Sequence, residues 1–216
     1  MIDWATSLDP LKLAAVVYRP ADDVDGLLAS FAQERLLEGR RIGGIVQRNI
    51  RGERGSRERM DVVDLMTGRT IRICQSLGKG AAACKLDPAG LAEAATAIAR
   101  ATAARVELVV VNKFSKQEAG GAGLRSEIAD VIAAGLPLLT AVPDKCYDAW
   151  AAFTGSFGTT LVCERRILED WWADISSGQT RSAAATCVAS AAVAYPVAGV
   201  SALARHSPSL SNHHVR

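Results

Sequence analysis

The stretch Val106 to Arg125, VELVVVNKFSKQEAGGAGLR, constrains the fold more than any other part of the chain. Val106 to Val111 carries valine at four of its six positions and a single charge, Glu107. A run so short and so β-branched is predicted to be a strand buried on both faces, of the kind found at the centre of a parallel sheet. It breaks off into Asn112-Lys113-Phe114-Ser115-Lys116-Gln117-Glu118, followed by Gly120, Gly121 and Gly123 and by a helical pattern from Leu124. Polar residues at the carboxyl end of a central parallel strand lie where open α/β sheets bind ligands. This junction is therefore the expected site.

The remaining pattern alternates strands with helices. Leu13 to Tyr18 reads as the first strand, and Arg19 to Asp23 as a turn in which Asp22 or Asp23 caps a helix with apolar positions at Val24, Leu27, Leu28, Phe31, Leu36 and Leu37. Gly39 closes that helix, and Arg41 to Gln47 is a second strand whose Gly43 and Gly44 allow close packing. Arg48 to Arg59, dense in Arg, Gly and Glu, is expected to be a solvated loop. Met60 to Met66 and Thr70 to Cys74 flank Thr67-Gly68-Arg69 as a hairpin, and Gln75 to Asp87 is a long connection. Asp87 as N-cap and Pro88 at the first helical position open an Ala-rich helix to Ala103. Further on come a helix from Leu124 to Ala134 closed by Gly135, a buried strand from Pro137 to Val142, a short helix with Tyr147, Trp150 and Phe153 on one side, a last strand from Thr159 to Cys163, and a helix over Ile167 to Ile175. The alternation predicts an α/β fold, a mostly parallel sheet with helices on both faces. Residues 1–175 are read as one domain. Residues 176–216 are read as an Ala- and Ser-rich tail, loosely helical or disordered, in which Pro196 and the prevalence of small residues argue against a membrane span.

Composition removes several function classes. A net charge of +2 is too small for binding nucleic acid or a membrane by bulk electrostatics, and an aromatic fraction of 5% disfavours a base-stacking platform. Cys74, Cys84, Cys146, Cys163 and Cys187 contain no C-x-x-C pair and fit free thiols in a reducing cytoplasm. Residues 1–10 lack the long apolar segment of a secretory signal. His206, His213 and His214 all lie in the tail, so Ser–His and Cys–His catalytic arrangements in the body are excluded. No cofactor and no oligomeric state is indicated.

Several segments together resemble a bacterial family known as a domain of unknown function, which belongs with the P-loop nucleotide hydrolases. They are Leu13 to Tyr18, Ile42 to Arg48, Cys84-Lys85-Leu86-Asp87-Pro88, Val111 to Glu118 and Leu136 to Val142, and the match extends over about Leu13 to Trp172. The N-K-F-x-K-Q-E segment is its most specific part. The resemblance implies a P-loop nucleoside-triphosphatase-like fold and a gene neighbourhood linked to molybdenum uptake. The same segment is also similar to the second phosphate-site motif of a small nucleoside-triphosphatase family, in which a strand runs into D-E-x-G-x-x-E. By that likeness Asn112 stands in place of the magnesium-linked Asp, Lys113 in place of the Glu that activates water, and Glu118 keeps the final acid. An amide and an ammonium cannot serve as magnesium anchor and general base. The first phosphate loop is degenerate as well. The junction Arg19-Pro20-Ala21-Asp22-Asp23-Val24-Asp25-Gly26 has no Lys and sets three carboxylates where phosphates would bind.

The expected activity is that of a non-hydrolysing binding or regulatory module. It would hold a small anion, a molybdate-like oxyanion or a nucleotide phosphate, at the carboxyl end of the central strand. The expected ligand-binding residues are Arg19, Lys79, Asn112, Lys113, Lys116, Glu118 and Arg125, with Lys and Arg near glycine amides making an anion site. Asn112 can bond a ligand or cap the strand, and Glu118 can instead pair with Lys113 or Lys116. The alternative from a different class is a nucleoside triphosphatase or phosphotransferase in which Asp22, Asp23 or Asp25 holds magnesium. A scaffold that docks a partner through the tail is a third reading.

Overall fold

The computed structural model describes residues 9–50, 59–75 and 85–177. A 3-10 turn, Pro10–Lys12, leads into strand β1 (Leu13–Tyr18), helix α1 (Val24–Leu37) and strand β2 (Ile42–Ile50). Strands β3 (Arg59–Asp64) and β4 (Thr70–Arg72) form a hairpin, and β5 (Cys74–Gln75) pairs with β6 (Lys85–Leu86). Helix α2 (Pro88–Ala103) delivers the chain to β7 (Leu108–Val111), which is followed by a one-turn helix α3 (Lys116–Ala119) and by α4 (Arg125–Ala133). Strand β8 (Leu138–Pro143), helix α5 (Tyr147–Thr154), strand β9 (Thr159–Val162) and helix α6 (Arg165–Ser176) complete the body.

Seven strands form one sheet in the order β4-β3-β2-β7-β8-β1-β9, so the valine-rich run lies in the middle position. The strands from β2 to β9 are parallel, and β3 and β4 extend the sheet antiparallel at the β2 edge. Every residue of β7 is buried because side chains alternate between two apolar layers. Val109 and Val111 pack with Leu13, Leu138, the small face of α2 (Ala94, Ala97, Ile98, Ala101), Ile128 of α4 and Trp150 of α5. Leu108 and Val110 face the other way, with Val16, Leu139, Phe31 of α1 and Leu168, Trp171 and Trp172 of α6. Burying a side chain of this size contributes roughly 1.5–3 kcal/mol. The buried hydroxyl of Thr140, in the middle of the sheet, donates to Val111 O at 2.7 Å.

Helix starts follow their caps. Asp23 accepts from Gly26 N at 3.0 Å and Asp87 from Ala89 N at 3.2 Å, with Pro88 at the first helical position. Gly44 has φ +93°, and a Cβ there would lie 2.1 Å from Val110 O. Glycine is thus required where β2 meets β7.

Three expectations are corrected. The charged run Arg48 to Arg59 is strand at both ends, since β2 pairs with β3 as far as Ile50 and Arg59; residues 51–58 lie outside the described residues. The connection Gln75 to Asp87 begins and ends in the β5–β6 pair, because Cys74 and Leu86 come opposite each other. Helix α3 was not expected. The region beyond Ser177, with the three histidines and Cys187, lies outside the described residues, as do Lys79 and Cys84. Among the described residues no helix is long and apolar enough to cross a membrane.

Candidate functional site

Strands β1 and β8 are neighbours, yet the chain leaves their carboxyl ends toward opposite faces, into α1 on one side and α5 on the other. Diverging connections open a crevice above those ends. Tyr18 at the end of β1, Gln47 in β2, and Asn112 and Lys113 after β7 line one cavity at the carboxyl end of β7.

The first turn of α1 supplies the group they converge on. Asp22 accepts from Arg19 N at 2.7 Å and Asp23 caps the helix, which leaves Asp25 to point inward. Its Oδ1 accepts from Asn112 Nδ2 and from Lys113 Nζ, both at 2.9 Å, and its Oδ2 accepts from Gln47 Nε2 at 3.2 Å. A carboxylate at a helix N-terminus is favoured by the helix dipole and by the amides there. The Asn112–Lys113 peptide is cis. Lys113 Nζ also lies 5.2 Å from the centre of the Tyr18 ring. Burial pushes the Tyr18 phenol up, and the adjacent Lys113 ammonium only partly offsets it.

The pairing fixes the Asn112 amide. A carboxylate only accepts, so Nδ2 must face Asp25 and Oδ1 must face away. Asn112 is 2% exposed, and its Oδ1 is buried without a donor. Such an atom costs roughly 1–3 kcal/mol until a donor reaches it.

The loop after β7 is held by its own residues. Phe114 is fully buried, 5.1 Å from Trp150 and 5.5 Å from Phe153, ring centre to ring centre. Glu118, also buried, accepts from Ser115 N at 2.9 Å and Leu124 N at 3.0 Å. Lys113 pairs with Asp25 and not with Glu118, whose two oxygens each accept a backbone N–H. Arg125 donates to Glu118 O at 3.0 Å and stacks 4.2 Å over Phe153. That position is outside the cavity lining. Arg19 is exposed on the β1–α1 turn and likewise outside the lining. Lys116 stands exposed on the rim, with no ion pair among the described residues.

A cavity of about 250 Å³ opens beside this knot. Ile45, Val62, Ile73, Leu91, Ala94 and Leu124 form its apolar wall. Tyr18, Gln47, Asn112, Lys113, Lys116 and Glu118 are among its polar residues. Of the residues expected at the site, Asn112, Lys113, Lys116 and Glu118 thus line one cavity. Reading the sequence missed Gln47 and Tyr18 as lining residues and Asp25 as the partner of Lys113. The only signal was an acid-rich helix start together with the lysines that follow the central strand.

The electrostatics of the β1–α1 turn agree with this arrangement. Cys163, just beyond β9, has its thiol pushed up to about 11 by burial and then by the charges of Asp22 and Asp23. Among the described residues no group of three or more His, Cys, Asp or Glu side chains is placed to hold a metal ion.

Comparison with known proteins gives the following likenesses. The sequence model of a family described as "Protein of unknown function (DUF2478)" matches residues 13–171. "Molybdenum import ATP-binding protein ModC 2" of Bradyrhizobium diazoefficiens is 60% identical over 180 residues, which is 83% of this chain and 20% of that protein. The chain thus spans about a fifth of that relative's length. The crystal structure of THEP1 from the hyperthermophile Aquifex aeolicus superposes with a TM-score of 0.53 at 11% identity, covering 76% of this chain and 95% of that one. The fold is α/β and resembles that of THEP1.

Proposed function

The chain belongs to the DUF2478 family, and we propose that it is a non-hydrolysing binding or regulatory module that holds a small anion, an oxyanion or a nucleotide phosphate, in the cavity at the carboxyl end of β7. The observation that carries this reading is Asp25. Its carboxylate, in the first turn of α1, is bonded by Lys113, Asn112 and Gln47. A second anion at the same point would meet a like charge. Lys116 on the rim remains to attract a ligand into the neighbouring cavity.

The alternative in which Asp22, Asp23 or Asp25 holds magnesium for hydrolysis is less well supported. Asp22 and Asp23 accept from Arg19 N and Gly26 N, and Asp25 is paired with Lys113. The relative's printed name makes molybdate and ATP natural probes. Isothermal titration with molybdate, sulfate, phosphate, ADP and ATP tests the reading. At least one of these should bind, and Lys116→Ala should weaken that binding about tenfold, the effect of removing one charge-assisted hydrogen bond of ~1.5 kcal/mol. Arg166→Ala, 88% exposed on α6, should leave it unchanged. Equal effects of the two substitutions would mean diffuse surface attraction and would refute the site.

A further inference from the structure

Tyr18 is held in place from two sides. Its backbone stands beside Pro143 of β8, and its ring packs against the core layer that contains Val16, Leu139 and Phe31. From there the side chain lines the cavity at the carboxyl end of β7. A tyrosine fixed in this way has two torsions to order and presents one polar group, the hydroxyl.

The neighbouring groups decide where that hydroxyl can donate. The Lys113 ammonium, 5.2 Å from the ring centre, lowers the phenol's pKa by its charge and as a hydrogen-bond donor. An ammonium has no acceptor, so the phenol proton cannot go to Lys113. Asp25 acts on the phenol through its charge alone. Its Oδ1 accepts from Asn112 and Lys113, and its Oδ2 from Gln47. Glu118, the acid in the cavity lining, accepts from Ser115 N and Leu124 N. Burial nevertheless keeps the phenol above its ordinary 10.0, so at neutral pH it is a protonated donor. The side open to it is the cavity.

Resting on the reading of this cavity as an anion site, we infer that Tyr18 is a ligand-binding residue whose hydroxyl donates a hydrogen bond to an oxygen of the bound oxyanion, in the cavity that Lys116 also lines. A donor aimed in this way suits an ionised oxygen, which only accepts.

The test is isothermal titration of the full chain with inorganic phosphate, sulfate, molybdate and ATP, in the wild type, Tyr18→Phe and Tyr147→Phe. Phenylalanine keeps the ring and removes the hydroxyl. Tyr147, on α5, is outside the cavity lining and serves as the control. The probe that binds the wild type most tightly should bind Tyr18→Phe about tenfold more weakly and Tyr147→Phe unchanged. Without anion, Tyr18→Phe should melt at the wild-type temperature, which a merely structural hydroxyl would not allow. If Tyr18→Phe does not fold, wild-type sequence carrying 3-fluorotyrosine decides: its more acidic hydroxyl is the stronger donor and should tighten binding. Undiminished binding by Tyr18→Phe, an equal loss in Tyr147→Phe, a loss matched by a lowered anion-free melting temperature, or no gain with 3-fluorotyrosine overturns the inference and leaves the anion reading standing. No binding of any probe by the wild type overturns both.

Discussion

Asp25 and Lys113 meet with each side chain only 16% exposed. At that burial a charge left without its partner is not rescued by solvent. Asp25→Ala or Lys113→Ala alone should each cost about 1.5–3 kcal/mol in urea unfolding. The double substitution should cost less than the sum, by ~1 kcal/mol or more. Additive losses would mean that the pair is not coupled. Cys163 gives a second expectation. Its thiol, raised from 9.0 to about 11, is neutral in the folded protein. The stability it contributes is complete below pH 9 and is lost as the pH rises toward 11. At pH 8 its thiolate fraction should be well below that of a thiol at 9.0. Peptide mapping of iodoacetamide labelling should therefore find Cys163 slow, and faster in Asp22→Asn/Asp23→Asn protein. Reactivity equal to that of an ordinary exposed thiol would contradict this.

Among the elements, the loop from Asn112 to Leu124 has the geometry most sensitive to a single atom. Gly121 and Gly123 both have positive φ, +85° and +65°, but a Cβ at Gly121 meets nothing within 4 Å whereas one at Gly123 would lie 2.2 Å from Glu118 Oε1. Gly121→Ala should cost about 1 kcal/mol for its backbone conformation alone. Gly123→Ala should cost clearly more, because it also displaces the buried Glu118 carboxylate, and thermal melts of the two variants would show the order. Equal melting temperatures would mean that Glu118 moves freely. The strand before this loop was legible because a β-branched run has few alternatives. Helix α3 was not, since one turn of polar residues has no period to read. The partners of Glu118 were hidden for a different reason: they are backbone amides of Ser115 and Leu124, which every sequence possesses. Arg125 was expected to face a ligand and instead lies on Phe153, a contact that depends on how α4 and α5 pack.

At the scale of the whole molecule, alternating strands and helices pointed to the mostly parallel sheet. The order β4-β3-β2-β7-β8-β1-β9 was not legible, because it depends on which connections cross over which strands. That order brings the start of α1 against the end of β7, 88 residues apart in sequence, and so makes Asp25 the partner of Lys113. The proposed function depends on what that carboxylate does. If it replaces a phosphate, removing its charge frees Lys113 for an external anion. If it holds magnesium, removing its charge destroys the site. Isothermal titration of ATP, with magnesium present, into the wild type and Asp25→Asn protein separates the two. The expected result is binding about tenfold tighter in Asp25→Asn, because the freed Lys113 ammonium adds one charge-assisted hydrogen bond to the phosphate. Weaker binding in Asp25→Asn than in the wild type would contradict it.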